Sequence, residues 1–150
     1  MTPRFGDTPR PGIAYRPRPG VYVILPGDSG LLLTHQEEPS PEIQLPGGGI
    51  DPGESPLQAL HREVREETGW RIADVRRLGV YRRFAYMPEY DLWAEKICTI
   101  FVATPVRALS APTEAGHSVI WASAQQAIGL LASPGDSAFV ARYAAAQRLP

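Results

Sequence analysis

Between Gly48 and Trp70 the chain sets Gly48, Glu54, Arg62, Glu63, Glu66, Glu67 and Gly69 at unequal intervals. A chance match to seven such positions is on the order of 10⁻⁶ at average residue frequencies. At roughly 100° per helical residue, Glu63, Glu66 and Glu67 share about 100° of arc. They lie beside an apolar stripe of Leu57, Leu60, Val64 and Thr68. Like charges three and four residues apart repel, and partial burial sharpens the repulsion. Arg62, one turn before Glu66, cannot neutralise three acids. A hard divalent cation can, and Mg²⁺ typically binds a few carboxylates together with substrate phosphates and water. The spacing points to metal-assisted chemistry on phosphate. A lone Glu-x-x-Glu-Glu edge is usually just solvated, and it is the joining to a glycine-rich loop that argues for a site.

Such side chains need a helix and a loop to hold them. Ser55-Pro56-Leu57-Gln58 reads as a helix start: Ser at the N-cap, Pro at the first helical position, Gln closing a capping box. Gly69 supplies a left-handed stop. Upstream, Leu45 to Gly53 has the composition of a tight loop whose backbone can approach a ligand. Glu54, at the junction, can accept backbone N–H groups and fix loop to helix.

Gly48 to Trp70 resembles the Nudix box, the signature of Nudix hydrolases, with Trp70 standing where a bulky aliphatic residue is usual. The resemblance implies an α/β chain folded as a Nudix-type α/β/α sandwich, a mixed sheet between helices, over about residues 20–132. It implies that Glu63, Glu66 and Glu67 bind Mg²⁺ or Mn²⁺ with help from the Gly47 carbonyl. Glu66, Glu67 and Arg62 are then expected in the catalytic machinery, and Gly48, Glu54 and Gly69 in support. It also implies a further carboxylate, as ligand or general base, from the loop before the Trp121 strand, and Glu114 is the expected residue; Glu95, Asp91 and Glu89 are weaker alternatives. Tyr86 follows Trp70 by 16 residues, where members acting on dinucleoside polyphosphates tend to carry tyrosine. With Phe84 and Arg83 it is an expected substrate contact. Pro88 lies near, but displaced from, the proline common in members acting on ADP-ribose.

The remaining sequence bounds the setting. One hundred and fifty residues suffice for a real core, taken as a Pro/Arg-rich segment over 1–20 and a Nudix hydrolase domain over 21–150. The first segment, with five prolines and four arginines, reads as an extended tail or edge covering. The net charge of −1 argues for neither nucleic acid nor a membrane surface as partner. One cysteine, Cys98, fits a reducing cytosol, and no apolar run approaches the ~18 residues of a membrane span. A cytoplasmic protein is expected, its oligomeric state open, with a homodimer admitted. His35, His61 and His117 read as ordinary surface residues. Arg71, Arg76, Arg77, Arg82 and Arg83 fall on one strand region, and alternation lets at most half face a site. Tyr22, Phe84, Tyr86, Tyr90 and Trp93 are candidates to stack a base.

Strands are expected over Val21–Leu25 and Leu31–Gln36 as a hairpin, then over Ile43–Leu45, Ile72–Tyr86, Leu92–Val106 and Val119–Trp121. A second capping box at Ser123 starts a helix to about Ala132, and a last helix runs from about Asp136 to Gln147. The expected function is divalent-metal-dependent hydrolysis of a pyrophosphate bond in a nucleoside diphosphate linked to another moiety, leaning to nucleoside or dinucleoside polyphosphates. Rivals are an ADP-ribose or nucleotide-sugar pyrophosphatase, an RNA 5′-pyrophosphohydrolase and, from another class, a non-catalytic nucleotide-sensing module.

Overall fold

Val21, Val23 and Leu25 point to one face of the first strand and Tyr22 and Ile24 to the other, dividing the interior into two cores. A computed structural model describes residues 2–147. The strands are β1 (Arg16–Ile24), β2 (Pro26–Gly27), β3 (Gly30–Gln36), β4 (Glu42–Gln44), β5 (Gly47–Gly49), β6 (Trp70–Met87), β7 (Leu92–Ala108) and β8 (His117–Ala122). Helix α1 (Pro56–Thr68) follows β5, and α2 (Ala124–Leu130) and α3 (Pro134–Gln147) end the described chain.

One sheet has the order β5-β1-β7-β6 and is mixed, with β1 parallel to β7 and the other pairs antiparallel. In the second sheet β3 pairs antiparallel with β2, β4 and β8. Helix α1 closes one core through Ala59, Leu60 and Val64, against Val21, Val23, Leu32 and Phe101. Ala127 of α2 and Phe139 and Val140 of α3 close the other, against Ile24, Tyr81 and Ile100. This is the α/β/α arrangement with helices on both faces. Leu60 and Val64 are fully buried, worth roughly 1.5–3 kcal/mol each in transfer free energy.

Helix α1 begins and ends on local chemistry. Ser55 Oγ accepts from the Gln58 N–H at 3.1 Å, Gln58 Oε1 accepts from the Ser55 N–H at 2.9 Å, and Gly69 takes φ 76°. Leu57 departs from the expected stripe: in the first turn it is 49 % exposed, and Ala59, Leu60, Val64, Glu67 and Thr68 form the buried face.

The first strand also departs from expectation, starting at Arg16 instead of Val21 despite Pro17 and Pro19. The Val23 N–H bonds the Pro46 carbonyl on the β5 side. Odd-numbered residues thus turn their N–H toward that side, while β5 itself pairs only with Gly20 to Tyr22. Pro17 and Pro19 therefore turn their missing N–H away from β7 and cost that ladder nothing, and the Pro19 carbonyl still accepts the Ile50 N–H at 3.2 Å. Nor do β1 and β3 form a simple hairpin. Pro26-Gly27 pairs back onto Gly30-Leu31 and the Leu32 N–H bonds the Leu25 carbonyl at 3.0 Å, but β1 and β3 belong to different sheets. Before β1, the backbone at Pro3 and Phe5 bonds Arg82 along the edge of β6, and Phe5 packs on Tyr81. Among the described residues no helix is long and apolar enough to cross a membrane.

Candidate active site

Glu67 carries the main electrostatic problem of the fold. It is 5 % exposed, on the same helical face as Leu60 and Val64. One of its oxygens, Oε1, accepts the Gly47 N–H at 3.0 Å. Burial is the main reason that its carboxyl lies well above the usual carboxylate range, with the Glu63, Glu114 and Glu66 charges adding to it and the Gly47 N–H opposing. Glu63 is pushed up to about 7, mainly by burial, against the pull of Arg62.

Glu63 reaches the site across a strand without side chains. A Cβ at Gly48 would lie 2.5–2.7 Å from the three carboxyl atoms of Glu63, so only glycine leaves room there. Gly47 takes φ 151°, and a Cβ on it would strike the Val21 carbonyl.

Arg62 organises the outer side. Its Nε and Nη2 grip Glu54 at 2.7 and 2.8 Å, Nη1 donates to Glu63 at 2.9 Å and Glu66 at 3.2 Å, and Nη2 reaches the Gly49 carbonyl at 3.1 Å. Glu54 in turn accepts the Asp51 N–H at 2.9 Å. The Arg62 hydrogen bonds hold the Glu54 carboxyl down to about 2. The guanidinium is thus spent largely on Glu54, leaving the inner carboxylates short of positive charge.

Glu114 arrives because of how α1 ends. The Thr113 and Glu114 N–H groups bond the Glu66 carbonyl at 2.8 and 3.0 Å, and the Leu109 N–H bonds that of Gly69 at 2.8 Å. They satisfy carbonyls that a helix C-terminus leaves without partners. A side chain at Gly69 would collide with the Ser110 carbonyl, so this glycine both stops the helix and lets the segment carrying Glu114 dock. Ligand-capable atoms of Glu63, Glu66 and Glu114 lie within 4.8 Å of one another, as do those of Glu67, Glu114 and His117.

His117 is the departure from the sequence reading: instead of a surface residue, its side chain is 7 % exposed, with Nδ1 3.6 Å from Glu67 Oε2 and Nε2 3.8 Å from Glu114 Oε1. The burial comes from the long-range pairing of β8 with β3, which sets His117 opposite Gln36. The one local signal was its position three residues after Glu114 at the start of a strand. His61 is exposed.

Beside the carboxylates opens a cleft of about 660 Å³, lined among others by Gly47, Gly48, Glu63, Glu67, Glu114 and His117. Strand register lays Arg18, Lys96 and Arg83 in one row across β1, β7 and β6, and all three line the cleft. None of the three has an acidic partner within salt-bridge distance among the described residues.

Tyr86 lies at the rim, 42 % exposed, donating to Asp91 and packing on Trp93. Phe84, two residues before Tyr86, does not reach the cleft: on the face of β6 opposite Arg83 it packs on Tyr15, which also meets Trp93. Glu95 shares that far face and pairs with Arg82 at 3.2 Å. Arg71, Arg76 and Arg77 are exposed and do not line the cleft.

Four carboxylates and an imidazole whose Nδ1 has no hydrogen-bond partner among the described residues, gathered around glycine backbone with too little positive charge, fit a divalent cation. Glu63, Glu66, Glu67 and Glu114 are the residues that would hold it.

Comparison with known proteins points the same way. The protein-family model described as NUDIX domain matches residues 15–143. The chain is 43 % identical over 67 residues to an RNA pyrophosphohydrolase of Halorhodospira halophila, covering 45 % of this chain and 37 % of that protein. It is 39 % identical over 74 residues to a provisionally named 8-oxo-dGTP diphosphatase of Bacillus subtilis, covering 49 % of this chain and 50 % of the relative. The chain thus spans half or less of the length of these relatives. A NUDIX hydrolase structure from Nitrosomonas europaea shares the fold with a TM-score of 0.72 at 22 % identity, over 90 % of this chain and 93 % of that one.

Proposed function

The chain belongs to the NUDIX family, and on that premise we propose that it is a divalent-metal-dependent hydrolase, acting in the cytoplasm, that cleaves a pyrophosphate bond in a nucleoside diphosphate linked to another moiety. The convergence of Glu63, Glu66, Glu67 and Glu114 on one side of a large cleft carries this reading. A bound Mg²⁺ or Mn²⁺ would neutralise phosphate oxygens and lower the pKa of an attacking water. Glu63, Glu66 and Glu67, with the Gly47 carbonyl, would hold the cation. Glu114 is the further carboxylate, joining them as a ligand or taking the proton of the water that attacks phosphorus. Arg62 touches no substrate: it keeps Glu54, Glu63 and Glu66 in place.

The substrate class is a nucleoside or dinucleoside polyphosphate. The row Arg18, Lys96 and Arg83 supports it, because three cations without acidic partners on one cleft wall suit a further run of phosphate. Tyr86 at the rim offers a face for a base. An RNA 5′ end bearing several phosphates presents the same linkage, and the name of the Halorhodospira relative favours it as the second reading.

The test is a panel of nucleoside triphosphates, dinucleoside polyphosphates, nucleotide sugars, ADP-ribose and 5′-triphosphorylated RNA, each with Mg²⁺ or Mn²⁺, read as product masses. Water-derived cleavage between two phosphorus atoms is the expected result. Metal and nucleotide binding with no turnover anywhere on the panel would leave a nucleotide-sensing module instead.

A further inference from the structure

We infer that His117 is a metal ligand: with Glu67 and Glu114 it forms a second cation position, one that favours a Mn²⁺-type ion over Mg²⁺. This rests on the reading of the carboxylate cluster as a divalent-metal site.

The geometry around the ring carries it. His117 Nδ1 is buried without a hydrogen-bond partner among the described residues, and it faces Glu67 Oε2 at 3.6 Å. The other Glu67 oxygen is already taken by the Gly47 N–H, so Oε2 is the free one and it is turned to the imidazole. At 3.6 Å the pair is too far apart for a hydrogen bond. It is close to the separation of two donors on one ion, since bonds of ~2.1 Å at roughly right to tetrahedral angles put donor atoms about 3.0–3.5 Å apart. Without a cation beside it, the buried imidazole nitrogen has no partner among the described residues.

The donor chemistry separates two positions. Glu63, Glu66 and Glu114 offer oxygen alone, while Glu67, Glu114 and His117 offer a nitrogen as well, and Glu114 is common to both groups. Oxygen-only sites suit Mg²⁺; imidazole suits the first-row transition ions. A carboxylate shared between two such positions can bridge them.

Pulsed EPR of tag-free protein with Mn²⁺ as the only added ligand tests this directly. The expected spectrum shows nitrogen modulation from a coordinated imidazole, which changes to the ¹⁵N pattern in protein grown with ¹⁵N-histidine. The modulation should vanish in His117→Gln and persist in His61→Gln. The Mn²⁺ Kd should rise by roughly tenfold or more in His117→Gln, with the Mg²⁺ Kd changed by less than about twofold. Bound Mn²⁺ whose spectrum is indifferent to ¹⁵N-histidine overturns the inference and leaves the carboxylate site standing. So does modulation that survives in His117→Gln. Failure of wild-type protein to bind Mn²⁺ at all overturns both. The isotope comparison uses unaltered protein, so it decides even where a variant fails to fold.

Discussion

Gly47 donates its backbone N–H to Oε1 of Glu67 at 3.0 Å, joining strand β5 to the buried face of α1. This single bond fixes which oxygen of the carboxylate stays free and where it points. The strand takes part through its backbone, and the helix supplies the charge. A buried carboxylate held in this way and short of a cation costs stability until a cation arrives, and that conflict is the source of the following expectations.

The first concerns pH. Burial lifts the Glu63 carboxyl to about 7 and holds Glu67 well above the usual carboxylate range, whereas an unfolded chain titrates glutamate near ~4.3. Between those limits the folded, metal-free protein binds more protons than the unfolded one, so its stability falls as pH rises. Melting temperatures measured in chelator should decline from pH 5 to pH 8, and the decline should flatten in Glu63→Gln. A wild-type melting temperature that climbs across this window would sink the account of a proton-requiring empty cluster.

Metal should reverse the penalty. A cation that binds only the folded state stabilises it by RT ln(1 + [L]/Kd), about 2.7 kcal/mol at a hundredfold excess over Kd. Titration with Mg²⁺ or Mn²⁺ in a thermal-shift assay should therefore raise the midpoint, and the Glu63→Ala, Glu67→Ala double variant should show no shift. A wild type that gives none, even with a non-hydrolysable nucleotide present, contradicts the assembled site.

Glu114 and Glu95 are separated by which face they occupy. Glu114 lies among the α1 carboxylates, and Glu95 pairs with Arg82 on the far face of the sheet. Glu114→Gln should lower kcat strongly with little change in KM, and should shift or flatten the acidic limb of the pH–rate profile. Glu95→Gln should be mild. The reverse pattern in steady-state kinetics would move the base to the strand.

What the sequence made legible was the local chemistry. Ser55, Pro56, Gln58 and Gly69 set the limits of α1 by bonds within a few residues, so the spacing of Glu63, Glu66 and Glu67 translated directly into one cluster. Gly48 was recognisable as a close-approach position, though not as the seat of Glu63. What stayed hidden depends on residues far apart in the chain. The burial of His117 follows from β8 pairing with β3, and the delivery of Glu114 from a loop bonded to the end of α1. The cationic row needs the register of three strands. Phe84 was misplaced because one residue along a strand reverses the face, and no local feature fixes which residue of β6 meets the cleft. The Pro/Arg-rich segment over 1–20 read as a tail or edge covering, yet its last residues join β1, because Pro17 and Pro19 turn their missing N–H away from β7.

The turnover of Glu66→Gln and Glu67→Gln, assayed with Mg²⁺ on the best substrate of the nucleotide panel, tests the central claim most directly. Each substitution removes one negative charge and nearly preserves shape, and in Glu67→Gln the side-chain amide oxygen can still accept the Gly47 N–H. Each rate is expected to fall by at least about 10²-fold, while the metal-free melting temperature holds level or rises because a repelling carboxylate is gone. Near-wild-type turnover in both variants would contradict the account, since the helix carboxylates would then play no part in the reaction.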